Sequence, residues 1–480
     1  MGFAGTDRSA RGFEETEEML PSRHRPALVG ILSLVLGALL LAPSPAAGQG
    51  WLADRSRAEG PGFKVGDFEL HPGIGVEIGW DSNLFYSPPN PTETAFVDTA
   101  ILRATAHLLF STRGQQRRLE GEASDSGSGN LPPPIQFRGG VSASLYHFFA
   151  RNDLTNVDVA ASLRLTVLQS RPFSFSIYND FNRSIRPFTI DVPGIGSQPS
   201  WNRIQNVAGL DLNFATTGQV LRITARYRPA LDWFEDVRFR TGNRVQHQLT
   251  LEESFRFLPQ TAIVHETTVV FVDYFAQPDV PANQASDGIT VRTRVGLSGA
   301  VTNQLTLLGL VGYGAGFFNS PPAISDSFRQ DYESLVLQAS ARWRFDESSN
   351  LGFGYIRGFQ PSFVGNFYRE DRGFVNFQTL IGGTFLLGLN VSGGLYAFGA
   401  IVDTDGTPIG DDINREDWRL MTEAFGEYRL TDWLGFNASF RYTGNFSNFD
   451  YRVDVIGGPS FLEPANFNKF EIFFGTRVFY

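Results

Sequence analysis

The chain has 480 residues, among them 44 Phe and 50 Gly but no Cys, with 19% charged residues and a formal charge of −10. The lack of Cys excludes disulfides, thiolate metal sites and thiol nucleophiles, and the acidic balance argues against a nucleic-acid partner, which needs a concentrated basic face. So many aromatics and glycines do not fit disorder; they fit many short strands joined by tight turns.

In chain order, residues 1–18 include Glu14, Glu15, Glu17 and Glu18, which are wrong for the start of an export signal. Met19 is followed by Arg23, His24 and Arg25, an apolar run over 27–42 and the small residues Ala46, Ala47 and Gly48. That succession is a secretory signal peptide starting at Met19 with an A-x-G cleavage site, and the run is short for a membrane-spanning helix. Residues 1–48 therefore read as an N-terminal extension plus signal peptide. Residues 49–66, polar and containing Pro and Gly, read as a periplasmic tether, and 67–480 as one folded unit.

From Asp67 onward the pattern has period two and no amphipathic helix of useful length. Val157, Val159, Ala161, Leu163, Leu165 and Val167 interleave with Asp158, Ser162, Arg164 and Thr166. Leu221, Ile223, Ala225 and Tyr227 interleave with Arg222, Thr224, Arg226 and Arg228, and the stretch 335–345 repeats the arrangement. Alternation of this kind is a β-strand with one apolar and one polar face. In a narrow soluble barrel the second face would be an apolar core, so charges on it indicate a wet interior and a transmembrane antiparallel β-barrel.

The connections alternate in length. Segments 169–172, 215–219, 258–261, 302–304, 346–350, 386–388 and 431–433 are short, whereas 182–202, 275–288, 319–331, 403–414 and 448–466 are long. Outer-membrane barrels have short periplasmic turns and long external loops, so both ends of the chain lie on the periplasmic side and the strand number is even. The count is about eighteen strands, roughly sixteen to twenty given the uncertainty of boundaries. Residues 114–134, containing Ser/Gly-rich and Pro-rich runs, break the phase by being long where a short turn is due.

The last stretch alternates up to the terminal carboxylate. Phe470, Ile472, Phe474, Val478 and Tyr480 share one face, and Lys469, Glu471, Gly475 and Arg477 share the other. This ending resembles the terminal assembly signal of bacterial outer-membrane barrels. The resemblance implies an outer-membrane location, contact with membrane lipid and recognition by the barrel-assembly machinery.

Ten arginines fall on the face assigned to the interior: Arg103, Arg164, Arg222, Arg226, Arg292, Arg294, Arg342, Arg344, Arg441 and Arg477. Against them stand Asp158, Glu252, Glu423, Glu427 and Glu471, so the lumen is expected to be net basic although the protein is acidic. Rings of Arg and Lys favour anions.

Residues 79–85, Gly-Trp-Asp-Ser-Asn-Leu-Phe, are followed by Pro88 and Pro89 and then by Asp98-Thr99 at the opening of the next strand. This first hairpin resembles the start of an outer-membrane beta-barrel porin family whose members sit in exopolysaccharide gene clusters. The resemblance covers about forty residues, a hairpin's worth, and implies polysaccharide passage with export components as partners. Physically, Asp81 and Asn83 are turn formers whose side chains bond nearby backbone amides.

The six His residues have no H-x-x-E or H-E-x-x-H spacing. A Ser-His or Asp-His pair assembled across strands is the enzymatic alternative. The Asp403-x-Asp405-Gly406 run lacks the Glu that an EF-hand loop places at its twelfth position, which is Asn414 here. No enzyme activity, metal or cofactor is expected. The sequence thus indicates an all-β outer-membrane barrel acting as a porin-like channel for hydrophilic, anionic solutes or for exopolysaccharide, with a non-conducting structural or adhesive surface barrel as the alternative.

Overall fold

The computed structural model describes residues 62–89, 97–112, 134–168, 172–185, 202–275, 286–319, 331–346, 348–362, 364–401, 411–453 and 461–480. The extension, the signal peptide, most of 114–134 and most of 403–414 lie outside these residues. In chain order the strands are β1 (Phe63–Val65), β2 (Phe68–Asp81), β3 (Thr99–Thr112), β4 (Ile135–Phe148), β5 (Asn156–Val167), β6 (Phe173–Ser184) and β7 (Arg203–Ala215). They continue with β8 (Leu221–Phe234), β9 (Arg244–Leu258), β10 (Thr261–Tyr274), β11 (Gly288–Ala300), β12 (Leu305–Phe318), β13 (Tyr332–Arg344) and β14 (Ser349–Pro361). The last are β15 (Phe367–Ile381), β16 (Phe385–Phe398), β17 (Glu416–Arg429), β18 (Leu434–Ser447), β19 (Asp450–Val453), β20 (Phe461–Pro464) and β21 (Phe467–Phe479).

Each long strand pairs antiparallel with its sequence neighbours, and β21 closes the ring by pairing with both β18 and β2, from Gly73↔Phe479 to Asp81↔Glu471. Of the nineteen strands in the sheet, β1 is a three-residue addition to β2, which leaves a closed ring of eighteen. Closure matters because hydrocarbon offers the backbone no hydrogen-bond partner, and a ring has no unpaired edge.

Period two then sorts the side chains. Ile74, Val76 and Ile78 of β2, like Phe470, Phe474 and Val478 of β21, are exposed on the outer wall. Their alternates Glu77, Asp81, Lys469 and Arg477 are buried on the inner one. Aromatics mark both ends of the outer belt, with Trp80 against Phe470 at 5.0 Å on one rim and Phe110 against Phe137 at 5.6 Å on the other. An apolar band between aromatic girdles around a polar interior is the outer-membrane arrangement.

The short turns, the start of β2 and the end of β21 share one rim, the periplasmic one. The segment assigned to a tether ends in β1, whose Phe63 stacks on Tyr480 at 4.3 Å. One turn lies elsewhere than expected: residues 386–388 belong to β16, and the turn is at 382–384. Gly382 and Gly383 take positive φ there, 58° and 74°, which glycine adopts without strain.

Candidate functional site

The inner wall is built from carboxylates and arginines that the strand register sets side by side. Glu77 lies opposite Arg103 between β2 and β3, and Nε of Arg103 donates to it at 2.6 Å. Asp232 of β8 is held between Arg203 at 2.8 Å and Arg244 at 3.1 Å. Glu266 takes Arg294 at 2.7 Å and Arg292 at 3.3 Å, and Arg294 also donates to Gln338 at 2.7 Å. Arg441 spans Glu423 at 2.7 Å and Glu471 at 3.4 Å, Arg226 meets Glu252 at 2.9 Å, and Arg477 pairs with Glu427. Buried charges persist when each has a partner and its hydrogen bonds are filled.

Of the ten arginines expected on the interior, six therefore sit in ion pairs: Arg103, Arg226, Arg292, Arg294, Arg441 and Arg477. The other four, Arg164, Arg222, Arg342 and Arg344, are joined by Arg138 and Arg256. These six lie within the last few residues of their strands at the periplasmic end. Among the described residues, no carboxylate is within ion-pairing distance of any of them. Most of the paired charges lie midway along the wall or toward the external side, with Glu427 between Arg429 and Arg477 as the exception near the periplasmic end, where the six arginines without a carboxylate partner add an excess of positive charge. Sequence reasoning missed Glu77, Asp232 and Glu266 on the inner face, although counting alternate residues back from Asp81, or on from Arg228, reaches the first two.

The external side is narrowed by the first loop, which folds inward. Asp81 ends β2 with Oδ1 accepting the Asn83 N–H at 2.9 Å and Oδ2 accepting Lys469 Nζ at 2.7 Å. Asn83 is fully buried. Its side-chain NH2 donates to the Ser87 carbonyl at 2.8 Å and the Asn468 carbonyl at 3.1 Å, and its Oδ1 accepts the Ser87 N–H at 2.8 Å. The loop thus pinned drives Leu84 and Phe85, each 1% exposed, against the inner-wall residues Ile101, Phe148 and Phe473.

Tyr86 reaches further, packing with Phe467, Phe234 and Phe239. Phe234 ends β8, six strands from β2 and so a third of the way round the ring. Burial pushes the Tyr86 hydroxyl above its ordinary pKa. On the far side, Arg244 Nη1 donates to the Pro361 carbonyl at 3.5 Å, and the Ser286 N–H donates to Asn366 Oδ1 at 2.9 Å. Val364, Phe398, Ile401, Phe449 and Tyr451 form one apolar cluster over that part of the mouth.

The loop that receives Tyr86 is itself clamped. Arg183 donates from Nε and Nη2 to the two carboxylate oxygens of Glu235, at 2.6 and 2.9 Å, and Asn202 adds a bond at 3.2 Å. The Arg183 bonds hold the Glu235 carboxyl below its usual range. A depressed carboxyl contributes stability above its unfolded value, about 4.3 for glutamate, and loses it only as pH falls through the lower folded value. Amide hydrogen exchange over 235–243, corrected for intrinsic rates, is therefore expected to stay constant from about pH 7 to 5 and to quicken only below about pH 4. Glu235→Gln is expected to quicken it at neutral pH, and protection already lost between pH 7 and 5 would contradict the clamp.

No family model matches the chain and no curated protein sequence matches it, so the resemblance of the first hairpin rests on its own residues alone. Among solved structures, OccAB4 of Acinetobacter baumannii aligns at 10% identity over 86% of this chain and 98% of its own, with a TM-score of 0.41. The outer membrane protein OpdK of Pseudomonas aeruginosa aligns at 10% identity over 86% and 99%, with a TM-score of 0.39. The siderophore receptor PirA of the same organism aligns at 9% identity over 86% and 80%, with a TM-score of 0.38. The identification of this chain as an outer-membrane barrel rests on its own closed ladder, apolar outer belt and polar interior.

Proposed function

We propose that the protein is an outer-membrane channel that passes hydrophilic solutes and prefers anions. The observation that carries this reading is the arginine excess at the periplasmic end of the inner wall, where Arg138, Arg164, Arg222, Arg256, Arg342 and Arg344 have no carboxylate partner among the described residues. Unpaired guanidinium groups on a wet wall raise the local concentration of anions and repel cations. A purely structural barrel would be served by an apolar filling, yet the inner positions of β4 to β6 carry Ser142, Ser162, Thr166, Ser176 and Asp180. Exopolysaccharide passage is the more specific form of the reading, with export components as periplasmic partners. The outer face of Phe470, Ile472, Phe474, Val478 and Tyr480 is the surface offered to the assembly machinery.

Swelling of liposomes containing the purified mature protein tests the preference. Glucuronate is expected to enter faster than glucosamine, which is of similar size and opposite charge. Faster uptake of glucosamine would overturn the assignment.

A further inference from the structure

The six arginines differ in their surroundings, and two of them form a built site. Arg138 of β4 and Arg164 of β5 lie directly opposite each other in the ladder and both face the interior. Like charges directly opposed across a strand pair repel and are normally avoided. Arg164 is nevertheless held in place: its guanidinium lies over the Tyr178 ring, 4.6 Å from the centroid. The far end of the Tyr178 ring in turn lies over Gly209 of β7, where an added Cβ would collide with the ring carbon Cζ. Only glycine at that position lets the tyrosine lie against the wall and support the arginine. Arg226, further along the same wall, is occupied by Glu252, and Asp211 lies opposite Arg226 in the β7–β8 register.

We infer that Arg138 and Arg164 form an oxyanion cradle on the Tyr178–Gly209 platform. We further infer that the periplasmic mouth captures a linear acidic polysaccharide through its repeated carboxylates. This deepens the anion-preferring reading and rests on it. An oxyanion between two guanidinium groups accepts a fork of hydrogen bonds from each and cancels their repulsion. The polymer follows from the distribution of the remaining arginines. Arg222 and Arg256 sit on β8 and β9, and Arg342 and Arg344 on β13, too far round the ring for one small anion to reach. A chain carrying a carboxylate on each sugar meets them in succession. The clusters further along the inner wall already hold a carboxylate against their arginines, as Asp232 and Glu266 do, so binding occurs at the periplasmic end.

The test is binding of polygalacturonate to the detergent-solubilised mature barrel at low salt, measured by calorimetry, with galacturonic acid as the small-anion comparison. The polymer is expected to bind at least about tenfold more tightly per carboxylate than the monomer, and Arg138→Gln/Arg164→Gln to weaken polymer binding about tenfold or more. Arg452→Gln, on the external rim, is expected to leave binding unchanged. The double variant is also expected to unfold no earlier than the parent, because it removes a repulsion, whereas a structural role for the pair predicts earlier unfolding. Equal binding of monomer and polymer, or polymer binding indifferent to the double variant, overturns the inference while leaving anion permeation intact. If the double variant weakens polymer binding but liposomes admit glucosamine faster than glucuronate, the mouth site stands and the channel preference falls.

Discussion

Replacing residues 83–87 with two glycines is expected to raise single-channel conductance about twofold or more, because this loop folds inward and packs against the inner wall on the external side. The expectation rests on how the segment is held. Asn83 makes two donations and one acceptance through its side chain, and all of its partners are backbone groups. Asn83→Ala alone leaves the Ser87 N–H and the carbonyls of Ser87 and Asn468 without those bonds, at a cost of about 1–3 kcal/mol for each group left buried and unsatisfied. Leu84 and Phe85 then have less to keep them against Ile101, Phe148 and Phe473. The single variant is expected to give a noisy, intermediate conductance and the deletion a quiet, larger one. A deletion that folds and conducts like the parent would mean that the loop stands clear of the path.

Gly475→Val is expected to abolish the closed barrel. Gly475 lies on the inner face of β21 at the seam with β2, and a Cβ there would stand 2.3 Å from Glu77 Cγ and 2.5 Å from the Val76 carbonyl oxygen. The backbone oxygen cannot yield without breaking the ladder that shuts the ring, and Glu77 is engaged by Arg103. A branched side chain at this point combines overpacking with a lost ion pair, and the expected destabilisation exceeds about 4 kcal/mol. The readout is the mobility shift between unheated and boiled samples on a denaturing gel, which only a closed barrel gives. Gly309→Ala is the control, because on β12 nothing lies within 4 Å of the added Cβ. Normal closure of Gly475→Val would mean that the seam is looser than the register implies.

The parts of the fold that could be read from the chain are those with local causes. The alternation of Phe470, Ile472 and Phe474 with Lys469 and Glu471 needs only the period of a strand, and it predicts correctly which wall each side chain occupies. The alternation of short and long connections likewise gives an even strand number and puts the start of β2 and the end of β21 on one rim. The turn near residue 386 was misplaced because Leu386, Leu387 and Gly388 interrupt the alternation, while the pair that makes the turn, Gly382 and Gly383, is separated from them by Thr384 and Phe385.

The inward course of the first loop was not legible for a different reason. The turn chemistry of Asp81 and Asn83 is visible in sequence, but the direction is set by Lys469, Asn468 and Phe473, nearly four hundred residues away. Charge pairing was half legible. Which arginines face inward follows from period two, whereas which are neutralised depends on cross-strand register, as with Asp232 between Arg203 and Arg244.

The most direct test of the account is the reversal potential of the refolded mature protein in a planar bilayer under a salt gradient. The account predicts steady open current with a reversal potential of the sign set by anion flow, and a shift toward zero when Arg138, Arg164, Arg342 and Arg344 are changed together to Gln. A cation-sign reversal potential, or one that the fourfold change leaves where it was, would contradict it.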